Sequence, residues 1–190
     1  MSFSIPPLAA EAILVLIVII AAVYDIRYRR IPNWLTASGV LTGLVLNSFL
    51  QTPAPAILSF GGFWFALKGM LLAFGVYFFL YALRAMGAGD VKLMAAVGAM
   101  VGWQDWFGIF LISAVIGGIA AILLSLAKGR LKTTFWNVGF ILSEMGHGRP
   151  AYVGKEELDV RSKKSLGLPH GAVIAGGTLI FLTAGHMVLH

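Results

Sequence analysis

Long apolar runs alternate along the chain with short clumps of charge. No Asp, Glu, Lys or Arg occurs from Ile31 through Leu67, from Trp106 through Ala127, or from Ser165 to the C-terminus. A helix needs about 20 apolar residues to cross the hydrocarbon core of a bilayer. The runs predict six such helices, over 8–24, 34–50, 62–83, 88–102, 106–127 and 169–188. The fourth is short and starts beside charge. Leaving it out would make five spans and set Asp25 and Asp90 at odds with the charge distribution. The expected fold is all-α, a polytopic integral membrane protein forming one domain over 1–190.

Composition agrees. Of 190 residues only 12% are charged, and mean hydropathy is +0.89. A soluble domain would carry about a quarter charged residues. That deficit excludes a disordered chain, a nucleic-acid-binding domain and an ordinary soluble enzyme. The absence of cysteine excludes disulfides, thiolate metal sites and cysteine nucleophiles.

The net charge of +6 is a topology signal. With the N-terminus outside, the loops near 25–33, 84–92 and 128–168 share one side and hold 13 of the 14 Lys and Arg. The positive-inside rule makes that side cytoplasmic. Only Lys68 remains, in the third span, where it can snorkel to the outer interface. Six of the eight acidic residues are inside, so the inner face is +7 and the outer face −1, with Glu11 and Asp105 outside. The first span has no Lys or Arg before it, and Arg27, Arg29 and Arg30 after it. That order predicts a retained N-out anchor and not a cleavable signal.

Phe63, Trp64 and Phe65 open the third span, and Trp103 and Trp106 bracket the outer turn as interface aromatics do. Asp105, between them, is expected to be solvated. Gly39 with Gly43, and Gly98 with Gly102, read as packing positions for close helix approach. In the cytoplasmic loop 128–168, Leu131, Phe135, Val138, Leu142 and Met145 recur at spacings of three and four. They make one apolar helical face, suited either to the inner headgroup region or to packing on the bundle. The mixed charges from 156 to 164 read as a solvated loop.

Carboxylates at the edge of a span are functional candidates. Asp25 closes the first span in Tyr24-Asp25-Ile26-Arg27, and Asp90 opens the fourth in Gly87-Ala88-Gly89-Asp90-Val91-Lys92. The predicted topology puts both at the cytoplasmic boundary. Each also has a structural reading: Asp25 paired with Arg29, Asp90 capping the fourth helix. Gly87 and Gly89 permit backbone conformations and close approaches closed to other residues. Two neighbouring carboxylates share a proton and titrate as a unit. One can then accept a proton from an attacking water while the other polarises a scissile carbonyl. That chemistry needs no metal or cofactor.

These residues carry a resemblance. The run from Tyr24 to Asn33, with Asp25 followed by basic residues and Ile31-Pro32-Asn33, resembles the first catalytic motif of the type IV prepilin peptidases. Gly87-Ala88-Gly89-Asp90-Val91-Lys92 resembles their Gly-x-Gly-Asp motif, and Pro169-His170-Gly171 the Pro-x-Gly element of their last span. The resemblance implies an aspartic endopeptidase of the bacterial inner membrane, with Asp25 and Asp90 as its catalytic pair. It would remove the leader of prepilins or pilin-like secretion subunits at the cytoplasmic face. Gly87, Gly89, Lys92, Pro32, Asn33, Pro169 and Gly171 match supporting motif positions. His170 stands where an aromatic residue is common and reads as structural. Arg27 and Arg30 suit lipid phosphate. Bifunctional members add an N-terminal four-cysteine zinc region and an N-methyltransferase activity. This cysteine-free chain resembles the short form of tight-adherence (Flp-type) pilus systems, for which methylation is not expected.

The implied partners are a prepilin or pilin-like helix and membrane lipid, with no nucleic acid. A basic leader gains nothing from an inner face of +7, so capture is expected through helix contact within the membrane. Two alternatives remain. A presenilin-like intramembrane protease shares Tyr-Asp and Gly-x-Gly-Asp, but its Pro-Ala-Leu motif is absent here. A proton-coupled carrier or secretion-platform subunit would use the aspartates as relay or ion-pair groups.

Overall fold

The computed structural model describes residues 8–50, 60–129, 131–146 and 168–189. The described residues form six helices: α1 (Leu8–Tyr28), α2 (Asn33–Leu50), α3 (Phe60–Ala82), α4 (Ala88–Ala127), α5 (Leu131–Gly146) and α6 (His170–Leu189). Two of them, α3 and α4, are long and apolar enough by length and composition to cross a membrane. Six spans and a further helix in the 128–168 loop were expected, and the six described helices fall at those places. The predicted fourth and fifth spans are the two arms of α4, and α5 lies in the loop that follows.

The arms meet at Gly102, whose φ of 79° and ψ of 177° interrupt the helix. This backbone region is essentially closed to residues with a Cβ. A straight helix of 40 residues would run about 60 Å, twice the hydrocarbon thickness. The contacts on either side of Gly102 show instead that the chain turns back. Gly98 and Gly102 lie against Gly69 of α3. Beyond the break, Trp106 and Phe110 pack on Tyr77, further along α3. The second arm continues along α6, with Gly108 on Phe181, Ser113 on Gly177 and Gly117 on Val173.

Breaking the helix frees carbonyls one turn before the break, because their i+4 amides are no longer in line. The side chain of Asn47 on α2 takes up two of them, its Nδ2 donating to the carbonyls of Ala99 at 3.0 Å and Met100 at 3.2 Å. Nδ2 also reaches its own helix at Gly43, 2.9 Å away.

The first arm is the centre of the molecule. From Asp90 to Gly102 every residue except Lys92 is buried, with Ala96 and Ala99 against α2 and Gly98 against α3. Its small residues allow that. A Cβ on Gly43 would lie 2.7 Å from the backbone of Ala99, and one on Gly98 2.8 Å from the backbone of Gly69. A helix enclosed on all sides need not present a full-length lipid-facing surface, which explains why this span read as short.

Three sequence expectations are corrected here. Trp106 is fully buried, packed on Tyr77 and stacked on Phe110, and is not an interface aromatic. Asp105 is buried at 8% exposure, not solvated. Gly102 is the point of reversal itself, where the turn was expected just after it.

The α5 helix contains the positions of the expected apolar face. It is tied to the end of α4 by a 2.9 Å hydrogen bond between the hydroxyls of Ser125 and Thr134, and Trp136 is exposed. The side chains of Phe135, Val138, Leu142 and Met145 and the charged run from 156 to 164 lie outside the described residues.

Candidate active site

One end of the bundle gathers all three sequence motifs, because the helices that carry them terminate there. Helix α1 ends where Arg29 adopts a left-handed φ of 53° while its N–H still bonds the Asp25 carbonyl at 2.9 Å. Asp25 is therefore on the last turn. The chain then passes Ile31 and restarts as α2, with the Pro32 carbonyl accepting from Thr36 N–H at 3.4 Å. Proline suits a position just outside a helix, where no N–H is needed. At α6 the Pro169 carbonyl accepts in the same way from Val173, at 3.3 Å.

Asp90 sits in the first turn of α4. Gly87 is the N-cap, and its N–H donates to Asp90 Oδ2 at 3.1 Å, one half of a capping box. The capping role expected of Asp90 is thus real, and it occupies one oxygen only. Asp25 is held differently: its Oδ2 accepts the N–H of Gly171, at the start of α6, at 2.7 Å. Its side chain turns toward α6, and it is the backbone carbonyl of Asp25 that engages Arg29. Neither carboxylate makes a second side-chain hydrogen bond among the described residues, so each keeps Oδ1 uncommitted.

Both carboxylates are mostly buried, Asp25 at 9% exposure and Asp90 at 7%. Asp90 interacts electrostatically with Asp25 and with His170. The His170 ring is fixed by a 3.0 Å contact between Nδ1 and the Leu168 carbonyl. At this separation of roles the pair has the elements of acid–base chemistry. Each carboxyl is steadied by one backbone N–H and has one oxygen left for a ligand.

The supporting positions link the motifs to one another. Lys92 Nζ donates to Asn33 Oδ1 at 2.8 Å, joining the second motif to the first. Ile31 is the wedge between all three. A Cβ on Gly89 would lie 3.2 Å from Ile31 Cβ, and one on Gly171 would lie 3.1 Å from Ile31 Cδ1. Gly171 also faces Asp25, with only 3.0 Å between the site of its missing Cβ and the Asp25 Cβ. The glycines of the second and third motifs thus serve close packing around Asp25 and Ile31. Ile31 had no assigned role in the sequence, since an apolar residue in an apolar chain carries no signal. Tyr77 was missed for a similar reason. It lies on α3, is buried, and interacts electrostatically with Asp90.

At the opposite end of the bundle Glu11 of α1 meets His186 of α6, Oε2 to Nε2 at 2.8 Å. That pair and the Asp25–Gly171 bond set α1 and α6 antiparallel along their length.

The model of the type IV leader peptidase family matches residues 12–122, which include Asp25 and Asp90 but not Pro169 and Gly171. A prepilin leader peptidase/N-methyltransferase of Klebsiella pneumoniae is 35% identical over 101 residues, covering 52% of this chain and 42% of the relative. Proteins of the same name from Xanthomonas campestris and Escherichia coli K12 are 31% and 32% identical. They cover 58% and 62% of this chain, and 38% and 52% of their own length. The chain thus spans about two fifths to one half of the curated relatives it matches. No solved structure matches it.

Proposed function

Since the chain belongs to the type IV leader peptidase family, we propose that it is a membrane-embedded aspartic endopeptidase. Its substrates are prepilins or pilin-like subunits, from which it removes the leader on the cytoplasmic side of the bacterial inner membrane. The observation that carries this reading is the convergence of Asp25 and Asp90. They come from helices far apart in sequence, lie at one end of the bundle where Ile31 packs against both Gly89 and Gly171, and each retain a free oxygen.

In the proposed reaction one carboxylate is ionised and takes a proton from water as its oxygen attacks the scissile carbonyl. The other is protonated and hydrogen-bonds the carbonyl oxygen, stabilising the tetrahedral intermediate. A proton then passes to the leaving nitrogen as the C–N bond breaks. The backbone N–H groups of Gly87 and Gly171 steady the pair throughout. Asp25 and Asp90 are the catalytic residues. Gly87, Gly89, Lys92, Pro32, Asn33, Pro169 and Gly171 position them.

The domain is proposed to be single, with six membrane crossings, the N-terminus outside and the loop 128–168 cytoplasmic. Crossings four and five are the two arms of α4, and α5 lies at the inner interface with its apolar face in the lipid. The 13 Lys and Arg placed on one side support this orientation.

The test is to reconstitute the chain in liposomes with a prepilin and identify the products by mass spectrometry. A cut at the junction of the basic leader and the apolar helix is expected. A cut within the apolar helix, or none, contradicts the proposal. The cysteine-free chain also suits single-cysteine labelling, in which position 29 should react from the cytoplasm and position 103 from outside.

A further inference from the structure

Glu11 is a buried carboxylate that the hydrolytic site does not use. It is 7% exposed, and only one of its oxygens is occupied. Oε2 accepts from Nε2 of His186 at 2.8 Å, while Oε1 is buried with no partner among the described residues. The His186 side chain is 40% exposed, so its ring exchanges protons with the water at that end of the bundle. An ionised carboxylate only accepts, so Nε2 carries a proton in either charge state of the ring. Losing the proton from Nδ1 therefore leaves the bond but removes the charge that offsets Glu11. The buried carboxylate must then take up a proton or open toward water, and either exchanges an ion pair for a weaker contact.

Two polar ties join α1 to α6 among the described residues, this one and the 2.7 Å bond from Gly171 N–H to Asp25. They lie 14 residues apart on α1 and 15 apart on α6, about 21 and about 22.5 Å of helix. Between them the buried side chains are apolar, Leu14, Val18 and Ala21 on α1 and Ile174 and Leu182 on α6, and Thr178 bonds within its own helix. Apolar contact sets little register in a bilayer, because lipid tails are as apolar as the side chains. We infer that Glu11 and His186 are positioning residues for Asp25, and that the proton on His186 couples leader removal to the pH on the opposite side of the membrane. The coupling rests on the peptidase reading above. At that end of the bundle, among the described residues, α2 has no titratable side chain, α3 brings Lys68 and the second arm of α4 brings Asp105. The register of Gly108 on Phe181 and Ser113 on Gly177 sets Asp105 level with positions 184–185 of α6, so its titration is the one to control for.

The experiment places the chain in liposomes and adds a prepilin from outside, so that only molecules whose site faces outward cleave it. The outer buffer is held at about pH 7 and the trapped buffer is set to about pH 6 or about pH 8, the range in which histidine changes charge. Only the Glu11 end of the bundle then experiences the difference. The parent is expected to cleave about fivefold more slowly with the more alkaline lumen, the low end of couplings between distant sites. His186→Gln keeps an amide donor for Glu11 but does not titrate, and is expected to cleave at one rate with either lumen. Asp105→Asn is expected to respond as the parent does. A parent indifferent to lumen pH overturns the inference alone, as does a His186→Gln chain that still responds or an Asp105→Asn chain that does not. A parent that cleaves nothing with either lumen overturns the peptidase reading and the inference with it.

Discussion

Replacing Gly171 with alanine probes the most sensitive contact of the site. The added Cβ would stand 3.0 Å from Asp25 Cβ and 3.1 Å from both Asp25 Oδ2 and Ile31 Cδ1. Carbon atoms pack best at about 3.5–4.0 Å, so about 0.5 Å or more must be made up. The neighbours cannot easily retreat. Asp25 is on the last turn of α1, and Ile31 is wedged against Gly89. The remaining way out is to move the start of α6. That shift stretches the 2.7 Å bond from Gly171 N–H to Asp25 Oδ2 to roughly 3.2 Å, the limit of a sound N–H···O bond. Overpacking of this kind costs about 1–3 kcal/mol in stability. A weakened hydrogen bond to a charged group is worth a similar amount, about 1.5–3 kcal/mol. Where that bond orients a catalytic carboxylate, the loss corresponds to a fall in kcat/KM of about 10- to 100-fold. The assay is cleavage of a prepilin by purified Gly171→Ala protein beside a thermal unfolding curve. Parental cleavage with an unchanged melting temperature would refute the view that α6 holds Asp25 in place.

Three further substitutions separate scaffold from chemistry. Asn47→Leu removes the donor to the Ala99 and Met100 carbonyls; it should cost about 2–4 kcal/mol, read as reduced membrane abundance, while the protein that does fold keeps its cleavage rate. Gly102→Ala combines a backbone conformation reserved for glycine with overlap on the Phe65 ring. It should lose about 3 kcal/mol or more and fail to accumulate; normal yield would contradict the account of the reversal. The Lys92–Asn33 bond is exposed, so Lys92→Met and Asn33→Ala should each change stability by no more than about 1 kcal/mol. A double-mutant cycle measures their coupling, and a cleavage loss beyond threefold would assign them a larger role.

How much of this was legible beforehand depended on what kind of residue carried the information. Charge is scarce in this chain, so Asp25 and Asp90 stood out against it, and glycine and proline motifs marked the helix ends around them. The faces of the helices were not legible. In water, polarity distinguishes the outside of a helix from the inside, but a lipid-facing surface is as apolar as a core. Leu16, Ile19, Val23 and Phe78 are exposed, while Leu14, Val18 and Ala21 on the same or neighbouring helices are buried, and no property of the residues separates the two sets. Gly69, which faces Gly98 and Gly102, therefore escaped notice, as did Tyr77. Trp106 was misread for the complementary reason. Tryptophan near a predicted span end usually marks the interface, but the chain turns back at Gly102, which carries Trp106 into the core. Three-dimensional pairing such as Asn47 with the freed carbonyls could not be read without knowing where α4 breaks.

The most direct measurement replaces each aspartate with asparagine, singly, and follows prepilin processing in membranes where the variants accumulate to parental levels. Asparagine preserves shape and the Gly87 and Gly171 hydrogen bonds while removing the proton-transfer group. The account predicts that Asp25→Asn and Asp90→Asn each abolish leader removal. Leader removal at the parental rate by either variant would contradict it.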